Sequence, residues 1–185
     1  MDAPVSGGDI GARKGCVASM VGGSEEGVNG AMDLMQAYSV EVAHMGEAGS
    51  GQYTKLCNQM MLATTMVGVC EALLLAQKAG VNHEKMIELL GKGGASSFTV
   101  LDLAPRMINR NFGPGFYVEY FVKDLGICLD ECRRMNLSVP GTAQAFQLYE
   151  MMMAQDRHRM GHQGLLTVLE DMNKMQVKDY SQNRQ

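Results

Sequence analysis

No G-x-G-x-x-G spacing occurs anywhere in these 185 residues. That turn normally opens a dinucleotide-binding domain, so the sequence offers no phosphate cradle of this kind. Ser6-Gly7-Gly8-Asp9-Ile10-Gly11 comes near it, but a strand-like pattern soon follows instead of a long helix. Basic excess is also missing: 16 Lys and Arg stand against 20 Asp and Glu, a net charge of −4 spread along the chain. Nothing here is the footprint of a nucleic-acid binder. The five cysteines are an odd number without framework spacing, which fits a reducing compartment and excludes a disulfide scaffold. Cys128 and Cys132 lie one helical turn apart without two further ligands nearby, so no zinc site is expected. His44, His83, His158 and His162 form no pairing that supplies further ligands at metal spacing, and no role is assigned to them. No charged-then-apolar leader opens the sequence, and polar residues interrupt its longest apolar runs. The expectation is a cytoplasmic chain with no membrane partner and no nucleic-acid partner, with import into an organelle left open.

What the sequence does contain centres on Gly46–Gln59, a glycine-rich turn that runs into a long apolar stretch. Gly49 and Gly51 permit backbone conformations that other residues resist. No proline or glycine then appears until Gly68, and the pattern continues to Gly80. A helix over that run spans roughly 40 Å at about 1.5 Å per residue. Lys55, Asn58, Gln59 and Leu62 fall at i, i+3, i+4 and i+7, which places them on one face. A lysine in a helix ordinarily carries its charge to water along an apolar stem, and the two amides could satisfy each other. Leu56, Met61, Met66, Val69, Leu73, Leu74 and Leu75 surround the same helix, which predicts burial on all sides.

The remainder divides into a short mixed segment and a helical one. Asp2–Gly8 reads as a strand running into a turn. Cys16–Val21 reads as a second strand, and Val40–Met45 alternates as a third. Between the last two, Ser24 predicts an N-cap with Glu25 and Glu26 in the first turn of a helix to about Tyr38. Beyond Gly80, Asn82 caps a helix through about Leu90. Another starts at Ser96 or Ser97 and breaks near Pro105; a third spans Tyr120 to Met135; a fourth follows Pro140; the last covers Gln163 to Met175. Methionine is frequent, with 17 residues including Met151-Met152-Met153, and serves as core filler.

Two motifs together carry more than either alone. Asp2-Ala3-Pro4-Val5-Ser6-Gly7-Gly8, followed by Gly49-Ser50-Gly51-Gln52 and then Lys55 with Asn58-Gln59, resembles the β-hydroxyacid dehydrogenase family. Its members include 3-hydroxyisobutyrate dehydrogenase, tartronate semialdehyde reductase and, more distantly, 6-phosphogluconate dehydrogenase. Ser19-Met20-Val21-Gly22-Gly23, Lys123-Asp124-Leu125 and Gly161-His162-Gln163-Gly164 agree, so the resemblance covers residues 2 to about 172. It implies a mainly α fold. A helical domain like the C-terminal domain of 6-phosphogluconate dehydrogenase spans 46–175, residues 1–45 form a strand-and-helix remnant of a Rossmann-type α/β domain, and a loose tail covers 176–185.

The resemblance also implies roles. Ser6, Gly7 and Gly8 would cradle the substrate carboxylate, for which backbone N–H groups in a glycine turn are suited. Lys55 would be the general acid/base, brought nearer neutrality by burial. Asn58 and Gln59 would orient the substrate; Gln59 stands where the family often has asparagine. Lys123 would line the cleft near the nicotinamide of NAD or NADP. In the family a nucleotide-binding domain precedes D-A-P-V-S-G-G, whereas only Met1 does so here. A truncated member is therefore expected, inactive alone, with the cofactor bound mainly outside this chain. The family also implies a short hydroxyacid substrate and a homodimer or homotetramer. The competing reading is a catalytically inactive helical oligomerisation module. Missing histidine at or next to Asn58 argues for the small-acid branch over 6-phosphogluconate dehydrogenase.

Overall fold

The computed structural model describes residues 1–177, which form two compact units, Met1–Met60 and the described residues from Met61 onward. The first three turns of the long helix belong to the first unit.

Strand β2 (Val17–Gly22) is the centre of the first unit and is buried along almost its whole length. Such a strand needs a neighbour on each edge. The short β1 (Val5–Ser6) pairs with it antiparallel, Val5 opposite Ser19, and β3 (Ser39–Gly46) pairs with it parallel, Met20 opposite Ala43. Two parallel strands require a crossover, and helix α2 (Glu25–Gln36) supplies it. Its start follows the local signals: the Gly27 N–H donates to Ser24 Oγ at 3.3 Å, and Glu25 and Glu26 occupy the first turn. Its apolar face places Val28 and Met35 against Val21, with Ala31, Met32 and Val42 packed around them. The buried hydroxyls of Ser19 and Ser39 satisfy each other across the parallel pair at 2.7 Å. The turn after β1 continues into a six-residue helix, α1 (Gly8–Arg13), where the sequence reads only a turn before the second strand.

Helix α3 (Ser50–Ala79) is one uninterrupted rod of 30 residues. In the second unit its Ala63, Met66, Cys70 and Leu73 are fully buried. Around them lie α4 (His83–Leu90), α5 (Ala104–Ile108), α6 (Val118–Arg134), α7 (Pro140–Ala154) and α8 (Leu165–Asn173). Phe121, Leu125, Tyr149, Leu165 and Leu166 complete this core with no exposure. Asn82 caps α4 as expected, its Oδ1 accepting the Lys85 N–H at 2.9 Å. Ahead of Pro105 the chain takes a π-helical turn, Thr99–Leu103, which runs directly into α5. The wide turn meets a residue that has no N–H to give to the ladder.

One expectation is corrected. Helix α3 is not buried on all sides: Met61 and Leu75 are each 70% exposed, and Cys57, Thr64, Gly68 and Ala72 on the same side are exposed with them. Among the described residues only the opposite side is covered, so a circumference of apolar residues does not secure a circumference of neighbours. Helix α3 is also long and apolar enough to cross a bilayer by length and composition alone. Buried core helices meet the same criterion. Of the tail from 176, Val177 is buried and donates its N–H to Glu170 Oε1 at 2.7 Å; residues 178–185 lie outside the described residues.

Candidate active site

The start of α3 is built into the sheet through three residues. Asp2 pairs with Gly22 through both backbone groups, N–H to O and O to N–H, each at 2.9 Å. Its carboxylate then accepts the Gly49 N–H at 2.6 Å and the Gln52 N–H at 2.8 Å. These amides belong to the first turn of a helix, where four N–H groups lack an intrahelical acceptor. Helix α3 is thus capped by a carboxylate 47 residues earlier in the chain. The Gly49 N–H and, after it, Gln52 hold the Asp2 carboxyl below the ordinary carboxylate range, against the opposing pull of desolvation.

Glycine is obligatory where these backbones meet. A Cβ on Gly51 would collide with the Met20 carbonyl oxygen and stand 2.7 Å from Asp2 Oδ2. A Cβ on Gly22 would stand 2.6 Å from Asp2 Oδ1 and 2.9 Å from the Gly51 nitrogen. Neither glycine has the positive φ that favours its kind elsewhere; each is there because backbone meets backbone.

The residues singled out from the sequence extend from this knot. Four residues beyond Asp2, Ser6 is half-buried at the end of β1, and Gly7 and Gly8 are exposed with φ of 137° and 62°. The turn is open to water and follows the anchored strand. On α3, Lys55 and Asn58 are half-buried and Gln59 is buried at 2% exposure. Asn58 Nδ2 donates to Gln59 Oε1 at 2.7 Å, so the buried amide fixes the more accessible one. Lys123 belongs to the second unit, on α6, where its ammonium lies 2.7 Å from Asp124 Oδ1 and the side chain is 64% exposed. His44 proves to be structural: its Nε2 lies 2.8 Å from the Gly23 carbonyl oxygen and 2.9 Å from that of Gly46, so this nitrogen carries the proton.

The described residues do not fit the pyrophosphate of a dinucleotide. The parallel strand–turn–helix unit, β2 to α2, would be the place for it. There Glu25 and Glu26 fill the first helical turn and the Ser24 hydroxyl is taken by Gly27. The glycine turn at 7–8 opens a helix of six residues with Asp9 in its first turn. Among the described residues no three His, Cys, Asp or Glu side chains stand together to hold a metal ion. A cleft of about 440 Å³ in the second unit is occupied by ion pairs, Arg110 to Glu170 at 2.5 Å and Arg157 to Asp171 at 2.6 Å, and offers no reacting group.

Sequence reasoning missed two features. Asp2 was visible only as a letter of its motif, since its partners are 47 and 50 residues away. His162 received no role, yet it is 5% exposed, its ring set edge-on to Phe116 at 5.8 Å and Phe121 at 5.4 Å, and neither ring nitrogen has a hydrogen-bond partner.

A glycine turn open to solvent, a half-buried lysine and a paired amide are all carried by the first unit. Residues 49–169 match the family described as NAD-binding of NADP-dependent 3-hydroxyisobutyrate dehydrogenase, and residues 1–46 match the NAD binding domain of 6-phosphogluconate dehydrogenase. The chain belongs to the β-hydroxyacid dehydrogenase family, NAD(P)-linked oxidoreductases of the 3-hydroxyisobutyrate dehydrogenase kind. It is 44% identical over 178 residues to a probable 3-hydroxyisobutyrate dehydrogenase-like 1, mitochondrial, of Arabidopsis thaliana, covering 96% of this chain and 53% of that protein. It is 37% identical over 172 residues to 2-hydroxy-3-oxopropionate reductase of Escherichia coli, covering 93% and 59%. The solved 3-hydroxyisobutyrate dehydrogenase of Mycobacterium tuberculosis with L-serine superposes with a TM-score of 0.84 at 30% identity, covering 91% of this chain and 60% of that one. The chain therefore spans between a half and three-fifths of the length of these relatives.

Proposed function

We propose that this chain carries the substrate-binding and proton-transfer residues of an NAD(P)-dependent enzyme interconverting a short β-hydroxyacid and its semialdehyde. 3-Hydroxyisobutyrate and tartronate semialdehyde are examples of the class. The observation that carries this reading is the placement of Lys55. It is half-buried in the second turn of α3, and the start of that helix is tied to the segment bearing Ser6-Gly7-Gly8.

In this reading the exposed N–H groups of the 6–8 turn receive the substrate carboxylate. Lys55 Nζ takes the hydroxyl proton in oxidation and returns it to the carbonyl oxygen in reduction. Asn58, held by Gln59, hydrogen-bonds the reacting hydroxyl and orients it. The fold is that of the helical C-terminal domain of this family, joined to the last strands of its α/β domain. Which of NAD and NADP is used, and the part of Lys123 near the nicotinamide, belong to the same proposal.

The test measures turnover of 3-hydroxyisobutyrate with NAD(P) by the chain fused behind the dinucleotide-binding segment that the family carries ahead of D-A-P-V-S-G-G. Lys55→Ala is expected to lower kcat at least about a hundredfold. Lys55→Arg fails as well, because a guanidinium does not give up its proton near neutral pH. Near-normal turnover in Lys55→Arg, with an unchanged pH profile, refutes the acid/base assignment. A second reading, a helical association module without turnover, draws on the exposed Met61 and Leu75. A folded fusion that turns over no 3-hydroxyacid would favour it.

A further inference from the structure

We propose that Asp2 is a positioning residue, one that sets where Lys55 stands relative to the Ser6–Gly8 turn by capping the helix that carries Lys55. The inference rests on the functional reading above and adds a residue to it. Three observations carry it. The Asp2 carboxylate spends both oxygens on the first turn of α3, at Gly49 and at Gln52. Its backbone is locked in a two-way pair with Gly22, so the carboxylate cannot drift without breaking the sheet edge. The Asp2 carboxylate and the Gly22 and Gly51 backbones approach so closely that no Cβ fits at either glycine.

The geometry that follows is short and stiff. From Asp2 to Ser6 is four residues of extended chain, about 13 Å. From Gln52 to Lys55 is three residues of helix, about 4.5 Å along the axis. Both arms start at one carboxylate, and neither contains a loop that could absorb slack. A cap made by a neighbouring residue would stabilise α3 equally well but would carry no information about the turn. A cap delivered from the strand that ends in the turn does. Asp2 touches neither substrate nor the reacting atoms in this arrangement; it acts through the helix. The first turn of α3 holds no acidic residue of its own, so the Asp2 carboxylate supplies the negative charge that the helix dipole favours there.

The test is amide hydrogen exchange, resolved by residue, on the 185-residue chain as it stands. In Asp2→Ala the Gly49 and Gln52 amides are expected to exchange about tenfold faster, the effect of losing an N-cap. The acceleration fades toward Gln59, and protection in β3 and in the second unit is unchanged. Asp2→Asn keeps the reach and one acceptor oxygen, and falls between wild type and Asp2→Ala; it also serves if Asp2→Ala does not fold. In the active fusion, Asp2→Ala lowers kcat while the Lys55-dependent limb of the pH profile keeps its shape, and Asp2→Asn recovers part of the loss. Unchanged exchange at Gly49 and Gln52, loss spread evenly over the sheet, or Asp2→Asn as damaging as Asp2→Ala would each overturn the proposal. If Lys55→Ala leaves turnover intact, the functional reading falls, and the exchange result still decides whether Asp2 caps α3.

Discussion

Acid should destabilise the helical unit through His162. This ring is 5% exposed, stands edge-on to both Phe116 and Phe121, and neither of its nitrogens has a hydrogen-bond partner. Burial, with a smaller contribution from the positive charge of Arg106, lowers its pKa from 6.5 to about 4; the nearby Phe116 carbonyl pulls the other way. The folded state therefore keeps His162 neutral in a range where the unfolded chain protonates it. With the folded pKa below the unfolded one, the full stability is present above pH 6.5. It is lost progressively as pH falls from 6.5 toward 4, and the loss is complete below that. A difference of 2.5 units is worth roughly 3.4 kcal/mol at about 1.36 kcal/mol per unit, of which about 2 kcal/mol is already gone at pH 5. Tyr149 donates to the His162 carbonyl oxygen at 3.0 Å and packs on Phe121 at 4.8 Å, and the chain has no tryptophan. Tyrosine near-UV dichroism during urea titration thus reports on this cluster. The comparison is wild type against His162→Leu at pH 7.5, 6 and 5, so that carboxylates common to both cancel. Leucine removes two unpaired polar atoms and is expected to match or exceed wild-type stability at pH 7.5. The two proteins should then diverge by about 2 kcal/mol more at pH 5. A stability difference that stays flat from pH 7.5 to 5 would refute the argument.

Gly51→Ala should destabilise the first unit by about 1–3 kcal/mol, as overpacking does, because its methyl meets the Met20 carbonyl; Gly30→Ala, with open space around it, serves as the control in the same denaturant titration. The 185-residue chain alone is expected to bind NAD and NADP weakly or not at all, since acids fill the first turn of α2, the crossover helix that follows β2. Calorimetry giving micromolar binding would contradict that. The exposed side of α3 is expected to pair copies of the chain, so light scattering should show a dimer or larger. Met61→Lys with Leu75→Glu should then release monomers, whereas a wild-type monomer over a wide concentration range would count against pairing.

Features carried by neighbouring residues were legible in the sequence. Ser24 and Asn82 announced helices because a cap and its helix lie within three residues. The Lys55–Asn58–Gln59 face followed from helical spacing. Helix α1 was not legible, because Gly8-Asp9-Ile10-Gly11-Ala12-Arg13 has two glycines and little intrinsic preference for a helix. Tertiary contact sustains it, with Gly11 buried against the Val17 side chain and its carbonyl accepting the Cys16 N–H at 2.8 Å. The Asp2 cap was hidden for a related reason: a partner 47 residues away leaves no local pattern. The exposed side of α3 shows the converse. Apolar residues report what a helix can bury, and the neighbours that do the burying are a property of the fold.

The cap on α3 also fixes an angular zero. Each residue along a helix turns about 100° and climbs about 1.5 Å. Counting from Gln52, held by Asp2, the direction of Lys55 is determined three residues on, with no bend in between where an error could be taken up. One residue inserted between Gln52 and Lys55 would swing the ammonium by about 100°, to a different side of the helix, while leaving the composition and the cap intact. Length variation in this stretch is therefore a change of aim, and substitutions there should be tolerated far better than any insertion or deletion.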